Sequence, residues 1–152
     1  MTTYDVAVHI RRALPVDAPA IAPLLGQLGY PSTAEDVAAR FARVAGSETD
    51  AAWLAVDPDE ADAEAVIGFV SGHVRWAYEL DAPVAQLTAL VVAETNRGTG
   101  AGRALVATFE EWAIAAGAAR ATVSSSFRRT GAHAFYERLG YEQLSKKFDK
   151  RL

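Results

Sequence analysis

The sequence predicts a single α/β domain, residues 1–152, with a central mixed sheet and helices on its faces. Three observations carry that prediction. A chain of 152 residues is about one domain long and buries roughly 70 % of the surface its unfolded form exposes. Its apolar residues switch between strand and helix spacing in the order β, α, α, β, β, β, α, β, α, β, which describes a sheet covered by helices. No internal repeat or linker divides the chain, and its composition, 51 % apolar and 22 % charged, is that of a globular protein and not a disordered one.

Val6, Val8 and Ile10 alternate with Ala7, His9 and Arg11 and give the first strand. After Asp17, residues Ile21, Leu24, Leu25 and Leu28 recur at helical spacing until Gly29 stops the run. Pro31 breaks the chain, and Ser32 or Thr33 caps a second helix whose Val37, Phe41 and Val44 share a face. Ala51 to Val56 reads as a strand closed by the acidic turn DPDEADAE. The run AVIGFVSGHVRWAYE, with Val66, Phe69, Val70, Val74 and Trp76, reads as a long strand whose glycines allow bending. Ala85 to Ala93 is another strand, and Gly100 to Ala116 is a helix ended by Gly117. A strand over Arg120 to Ser124, a short helix over Thr130 to Leu139 and a last strand from Tyr141 complete the set.

Composition narrows the chemistry. A net charge of −4 argues against a nucleic-acid or membrane surface as the main partner. The absence of cysteine removes disulfides, thiolate metal sites and cysteine nucleophiles. No metal is expected. The N-terminus lacks the pattern of a signal peptide and no run is long enough to span a membrane, so the expected location is the cytoplasm.

The stretch NRGTGAGR, Asn96 to Arg103, places three glycines at alternate positions between a strand and a helix. A helix start leaves N–H groups without internal partners, its dipole is positive there, and glycine lets a bulky anion approach the backbone. These are the requirements of a pyrophosphate cradle. Each charge-assisted hydrogen bond contributes about 1.5–3 kcal/mol, so several such donors hold a diphosphate without a metal. The spacing fits neither a Walker loop, since Gly102 is followed by Arg103 and Ala104, nor a dinucleotide fingerprint, since the sixth residue from Gly98 or Gly100 is Arg103 or Leu105.

Arg97, Gly100 and Gly102 do meet Arg-x-x-Gly-x-Gly after Leu90-Val91-Val92, and this resembles the coenzyme A signature of the GCN5-related N-acetyltransferase (GNAT) family. AHAFYERLGYE, Ala132 to Glu142, is similar to that family's late helix and strand, and IRRALPVDAPAIAPLLGQLGY to its first strand and helix, so the resemblance spans nearly the whole chain. It implies a mostly antiparallel mixed sheet and acetyl-CoA as cosubstrate, lying where two neighbouring strands part. Backbone groups of Leu90, Val91 and Val92 would meet the thioester and pantetheine arm, and amides of Arg97, Gly98, Thr99, Gly100, Ala101, Gly102 and Arg103 the pyrophosphate.

Tyr136 matches the family's tyrosine beside the coenzyme sulfur. A phenol near pKa 10 is a weaker acid than a thiol near about 8.5, so full proton transfer runs uphill by roughly 2 kcal/mol and the expected role is a hydrogen bond to the departing sulfur. Where the family often has an asparagine this sequence has Arg129, with Ser124, Ser125 or Ser126 as substitutes. Gln86, Thr88 and Ala89 stand near where many members carry a basic carboxylate. An alkylamine is neutral about once in 2,500 molecules at pH 7, a deficit of roughly 4.6 kcal/mol, so its proton needs an acceptor. Glu79, Asp81 and His73 are candidates. Tyr30, Trp76 and Tyr78 are expected to line the acceptor pocket.

The resemblance therefore implies direct acetyl transfer to a primary amine of a small molecule, such as an aminoglycoside-like compound, polyamine or amino acid, or of a peptide. The other reading is a binding module that senses acetyl-CoA without turnover. Homodimers are frequent among similar proteins.

Overall fold

The computed structural model describes residues 8–58, 65–124 and 130–152. Five strands, β1 (His9–Arg12), β2 (Asp50–Asp57), β3 (Ala65–Arg75), β4 (Val84–Val92) and β5 (Arg120–Val123), lie side by side in chain order. The first four are antiparallel neighbours and β5 runs parallel to β4. Helices α1 (Ala18–Leu28), α2 (Ala34–Val44), α3 (Ala101–Ala115) and α4 (Thr130–Arg138) accompany them. The mixed, mostly antiparallel sheet flanked by helices is the architecture the sequence predicts. Among the described residues no helix is long and apolar enough to cross a membrane.

Strand alternation divides the core between two faces. Leu54, Val56, Phe69 and Val91 meet Ile21 and Leu24 of α1 and Val37 of α2. Ala55, Val70, Val74, Ala85 and Leu87 meet Leu105, Val106, Phe109 and Ala113 of α3. Phe109, Ile21, Leu54 and Leu105 are fully buried, and each contributes about 1.5–3 kcal/mol of apolar burial. Trp53 packs edge-on against Trp112 with ring centroids 5.5 Å apart.

Local chemistry sets the element ends. Thr33, not Ser32, caps α2: its hydroxyl accepts from the Asp36 N–H at 3.1 Å while Asp36 accepts from the Thr33 N–H at 2.9 Å. Gly29 closes α1 in the left-handed region at φ 106°. Gly72, in mid-β3, is required by its neighbour, because a Cβ there would stand 2.6 Å from Cε2 of the buried Phe109 ring. Gly72→Ala is expected to lower stability in urea by about 1–3 kcal/mol. At Gly26 in α1, by contrast, a Cβ meets nothing within 4 Å, and Gly26→Ala should stabilise by about 0.4–1 kcal/mol.

The link from β1 to α1 is held by a forked ion pair. Asp17 is 8 % exposed and accepts from Arg11 Nη1 and Nη2 at 2.9 and 2.8 Å and from the Leu14 N–H at 2.7 Å. The Arg11 hydrogen bonds, against an opposing burial penalty, hold its carboxyl below the usual range. A depressed folded pKa contributes stability that is complete above the unfolded value, near about 3.9, and is lost as pH falls through the folded one. Asp17→Asn should therefore cost about 3 kcal/mol at pH 7, and wild type and variant should converge in denaturation experiments as pH drops below that range.

Two elements differ from expectation. β3 ends at Arg75, so Trp76 leaves the strand, and the Leu80 N–H bonding to Ala77 O at 3.2 Å folds the next residues into a turn. The strand expected from Tyr141 does not form: residues 141–152 hold no helix or strand, and Leu144, Phe148 and Leu152 are exposed. The Tyr141 N–H bonds to Tyr136 O at 3.0 Å, finishing α4 instead of starting a ladder. The following Lys146, Lys147, Asp149, Lys150 and Arg151 leave little apolar surface to bury. Val6, Ser125, Ser126 and Arg129 lie outside the described residues.

Candidate active site

The glycine stretch joins β4 to α3. A tight 3-10 turn, Glu94–Asn96, leaves β4, and the Thr99 hydroxyl donates to Asn96 O at 2.6 Å, curling the loop on itself. Gly98 and Gly100 take φ of 81° and 88°, where side chains are strained, and Gly100 stands at the N-cap of α3. The first helical bond at this end is Ala104 N–H to Gly100 O, 3.0 Å. Among the described residues no acceptor takes the amides of Ala101, Gly102 or Arg103, and no side chain caps the helix. Arg97 and Arg103 are exposed beside them. The result is a concentration of free N–H donors and positive charge suited to a diphosphate.

Gly102 places this helix start. A Cβ there would meet the Phe135 ring of α4 at 3.4 Å and Val92 of β4 at 3.6 Å, so the helix end lies between the end of β4 and α4. Phe135, Leu139 and Tyr141 pack on the cluster that also holds Leu90, Val92 and Val123. Tyr136, half-buried, stacks edge-on with Phe135 at 5.3 Å and Tyr141 at 5.7 Å. Burial, and then Glu110, push the Tyr141 phenol far up, so it stays neutral and acts as packing for Tyr136.

Beside that junction the sheet opens. The β4–β5 ladder runs from Val84↔Arg120 only to Leu87↔Val123, while β4 continues to Val92. Ser124, exposed, follows the end of β5 at this opening. On its other side β4 carries a bulge: Gly72 pairs with Leu87 and Ser71 with Ala89, leaving Thr88 as the extra residue. The bulge and the end of the ladder fall together, and Leu90, Val91 and Val92 lie beyond both.

A cavity of about 750 Å³ lies under α1 and α2. Ile21, Leu25, Leu28 and Phe41 form much of its wall, and Ser71, Thr88, Ala89 and Asp50 bring it to the sheet at the bulge. The Ser71 and Thr88 hydroxyls are 2.7 Å apart. Tyr30 lines this cavity. Trp76, 70 % exposed, and the fully exposed Tyr78 do not, and neither does Glu79, exposed in the turn after β3. Asp50 and Ser71 are among the lining residues that sequence reasoning did not select, since they look like ordinary strand polar residues until the strands are in register.

Three comparisons bear on this arrangement. The profile of a family described as "Acetyltransferase (GNAT) family" matches residues 24–141. An aminoalkylphosphonate N-acetyltransferase of Salmonella typhimurium is 36 % identical over 87 residues, 57 % of this chain and 56 % of that protein, so the chain spans about half the length of that relative. An aminoglycoside N(6')-acetyltransferase type 1 of Stenotrophomonas maltophilia is 32 % identical over 143 residues, 92 % of this chain and 90 % of that one. Among solved structures, an aminoglycoside N-acetyltransferase in complex with CoA superposes with a TM-score of 0.81 at 19 % identity, covering 95 % of this chain and 94 % of that one. A glucosamine-6-phosphate N-acetyltransferase of Arabidopsis thaliana gives 0.80 at 18 % identity, covering 95 % and 98 %. At such identities the structural likeness speaks for the fold.

Proposed function

Because the chain belongs to the GNAT acetyltransferase family, we propose that it moves the acetyl group of acetyl-CoA directly onto a primary amine of a small molecule, as a cytoplasmic enzyme. The observation that carries the small-molecule reading is the cavity of about 750 Å³ that reaches β4 at its bulge. That volume lies within the range of small-ligand sites, and its apolar walls with few polar groups match their usual make-up. An amino sugar, an aminoalkyl acid or a polyamine is the class of acceptor favoured, with the aminoglycoside and aminoalkylphosphonate relatives as support.

The chain's own groups divide the work. Amides from Gly98 to Arg103 hold the pyrophosphate, and Arg97 and Arg103 add charge. The backbone of Leu90, Val91 and Val92, beyond the β4–β5 ladder, orients the pantetheine arm and hydrogen-bonds the acyl oxygen. Tyr136 donates a hydrogen bond to the leaving sulfur. Acetyl-CoA, when bound, supplies the acyl group as a reactive thioester. With no cysteine in the chain, no thiol-linked enzyme intermediate can form, which supports direct attack by the amine.

A thiol-release screen over polyamines, aminoglycosides, amino acids, aminoalkylphosphonates and peptides tests this. Release with at least one small amine and none with peptides is expected. Release with peptides alone would overturn the small-molecule reading, and tight acetyl-CoA binding without release from any amine would leave the sensor module in its place.

A further inference from the structure

Resting on that reading, we propose that His73, its ring held by Asp50 of the cavity wall, takes the proton from the acceptor's ammonium group, and that the two form a catalytic pair beside the cavity.

Asp50 opens β2 and lies in register with His73 on β3, which in turn lies beside Gln86 on β4. His73 Nδ1 and Asp50 Oδ1 are 3.0 Å apart. The other carboxylate oxygen accepts from the Ser47 hydroxyl at 2.7 Å and the Thr49 hydroxyl at 3.2 Å. Burial raises the Asp50 carboxyl, but the hydrogen bonds from Ser47, His73 and Thr49 outweigh it and hold the group ionised at neutral pH. An ionised carboxylate only accepts, so the proton between the two residues belongs to Nδ1. In the neutral ring Nε2 then carries the free lone pair. Asp50 is thus a positioning residue and His73 the proton acceptor, which reaches the ammonium group across one water.

The pair borders the cavity, whose wall includes Asp50 but not His73. Asp50 lines the cavity, and so does Ser71, two residues from His73 on the same face of β3. The side chains of His73 and Asp50 are 40 % and 29 % exposed, so water can carry the proton away. The charged surroundings are sparse. β4 has no ionisable side chain between Val84 and Val92. Of the other ionisable lining residues, Arg12 lies over the Trp53 ring at 5.0 Å, Arg40 bonds Ser32 and Tyr30 is largely exposed. Arg75, Glu79 and Asp81, further along the chain from His73, are exposed to solvent.

In the step, the ammonium N–H bond breaks, its electron pair stays on nitrogen and the proton moves to His73 Nε2. The freed pair forms the C–N bond to the acyl carbon as the C–S bond breaks toward sulfur. The remaining excess proton on nitrogen goes to that sulfur, giving the thiol, and His73 returns its own to water.

The test compares wild type with His73→Gln and Asp50→Ala in the full chain, using whichever small amine wild type accepts. His73→Gln should lower kcat/KM by about 100-fold at pH 7 for an alkylamine, with acetyl-CoA affinity unchanged. For an analogue whose amine is weakly basic and already neutral at pH 7, the loss should be under about fivefold, because no proton has to be removed before attack. Nitrogen-15 NMR should find the neutral His73 ring protonated on Nδ1 in wild type and mainly on Nε2 in Asp50→Ala. An equal loss with both amines, or a wild-type ring protonated on Nε2, overturns the pair. A wild type silent toward every amine overturns acetyl transfer itself and the pair with it, whereas an active wild type with an unimpaired His73→Gln overturns the pair alone.

Discussion

Gly98→Asp is expected to weaken acetyl-CoA binding by about 100-fold, or roughly 2.7 kcal/mol. Gly98 lies at φ 81° with nothing within 4 Å of where a Cβ would stand, so a side chain enters open space and not the core. Aspartate and asparagine tolerate this left-handed conformation better than other residues. The two substitutions therefore differ mainly in charge. A carboxylate about 4 Å from a phosphate is repelled by about 4 kcal/mol at an effective dielectric near 20, and it also competes for the amides of Ala101 to Arg103. Gly98→Asn carries the same shape without the charge and should cost under about fivefold, the residual backbone strain. Calorimetric titration of both variants with acetyl-CoA decides the matter, and equal losses would mean that the loop is sensitive to shape and not to the anion.

Tyr136→Phe should lower kcat by between about 100- and 1,000-fold while leaving acetyl-CoA affinity within about twofold, because a donor aimed at developing charge acts in the transition state and not in the ground state. The substitution removes one oxygen and keeps the ring that stacks with Phe135 and Tyr141, so α4 stays seated against Gly102. Single-turnover rates with a saturating amine separate this from a change in binding. An unchanged rate would reduce Tyr136 to packing.

Much of this is legible in the residues themselves. The apolar strand runs of β2 and β3, the capping of α2 by Ser32 or Thr33, the Gly29 stop and the glycine-rich start of α3 all rest on local rules, and each element appears where those rules place it. Relations between strands are harder to read. The bulge at Thr88 and the early end of the β4–β5 ladder depend on register, which no single strand encodes. Asp50 illustrates the same point: beside Thr49 in sequence it reads as a solvated strand end, and only pairing with β3 brings it to His73. Trp76 and Tyr78 lie outside this cavity for a related reason. Their aromatic character suggests a pocket wall, yet β3 ends one residue before Trp76, and whether a side chain faces the cavity is decided by the backbone that carries it.

The central claim is that the free main-chain donors between Gly98 and Arg103 grip the diphosphate of acetyl-CoA. The most direct measurement follows the backbone amide resonances of a nitrogen-15-labelled chain during titration with coenzyme A. The account predicts that the amide protons of Ala101, Gly102 and Arg103 move strongly downfield as new charge-assisted hydrogen bonds form, and that pantetheine, which lacks the diphosphate, leaves them in place. Saturable binding of coenzyme A with those resonances unmoved would contradict it.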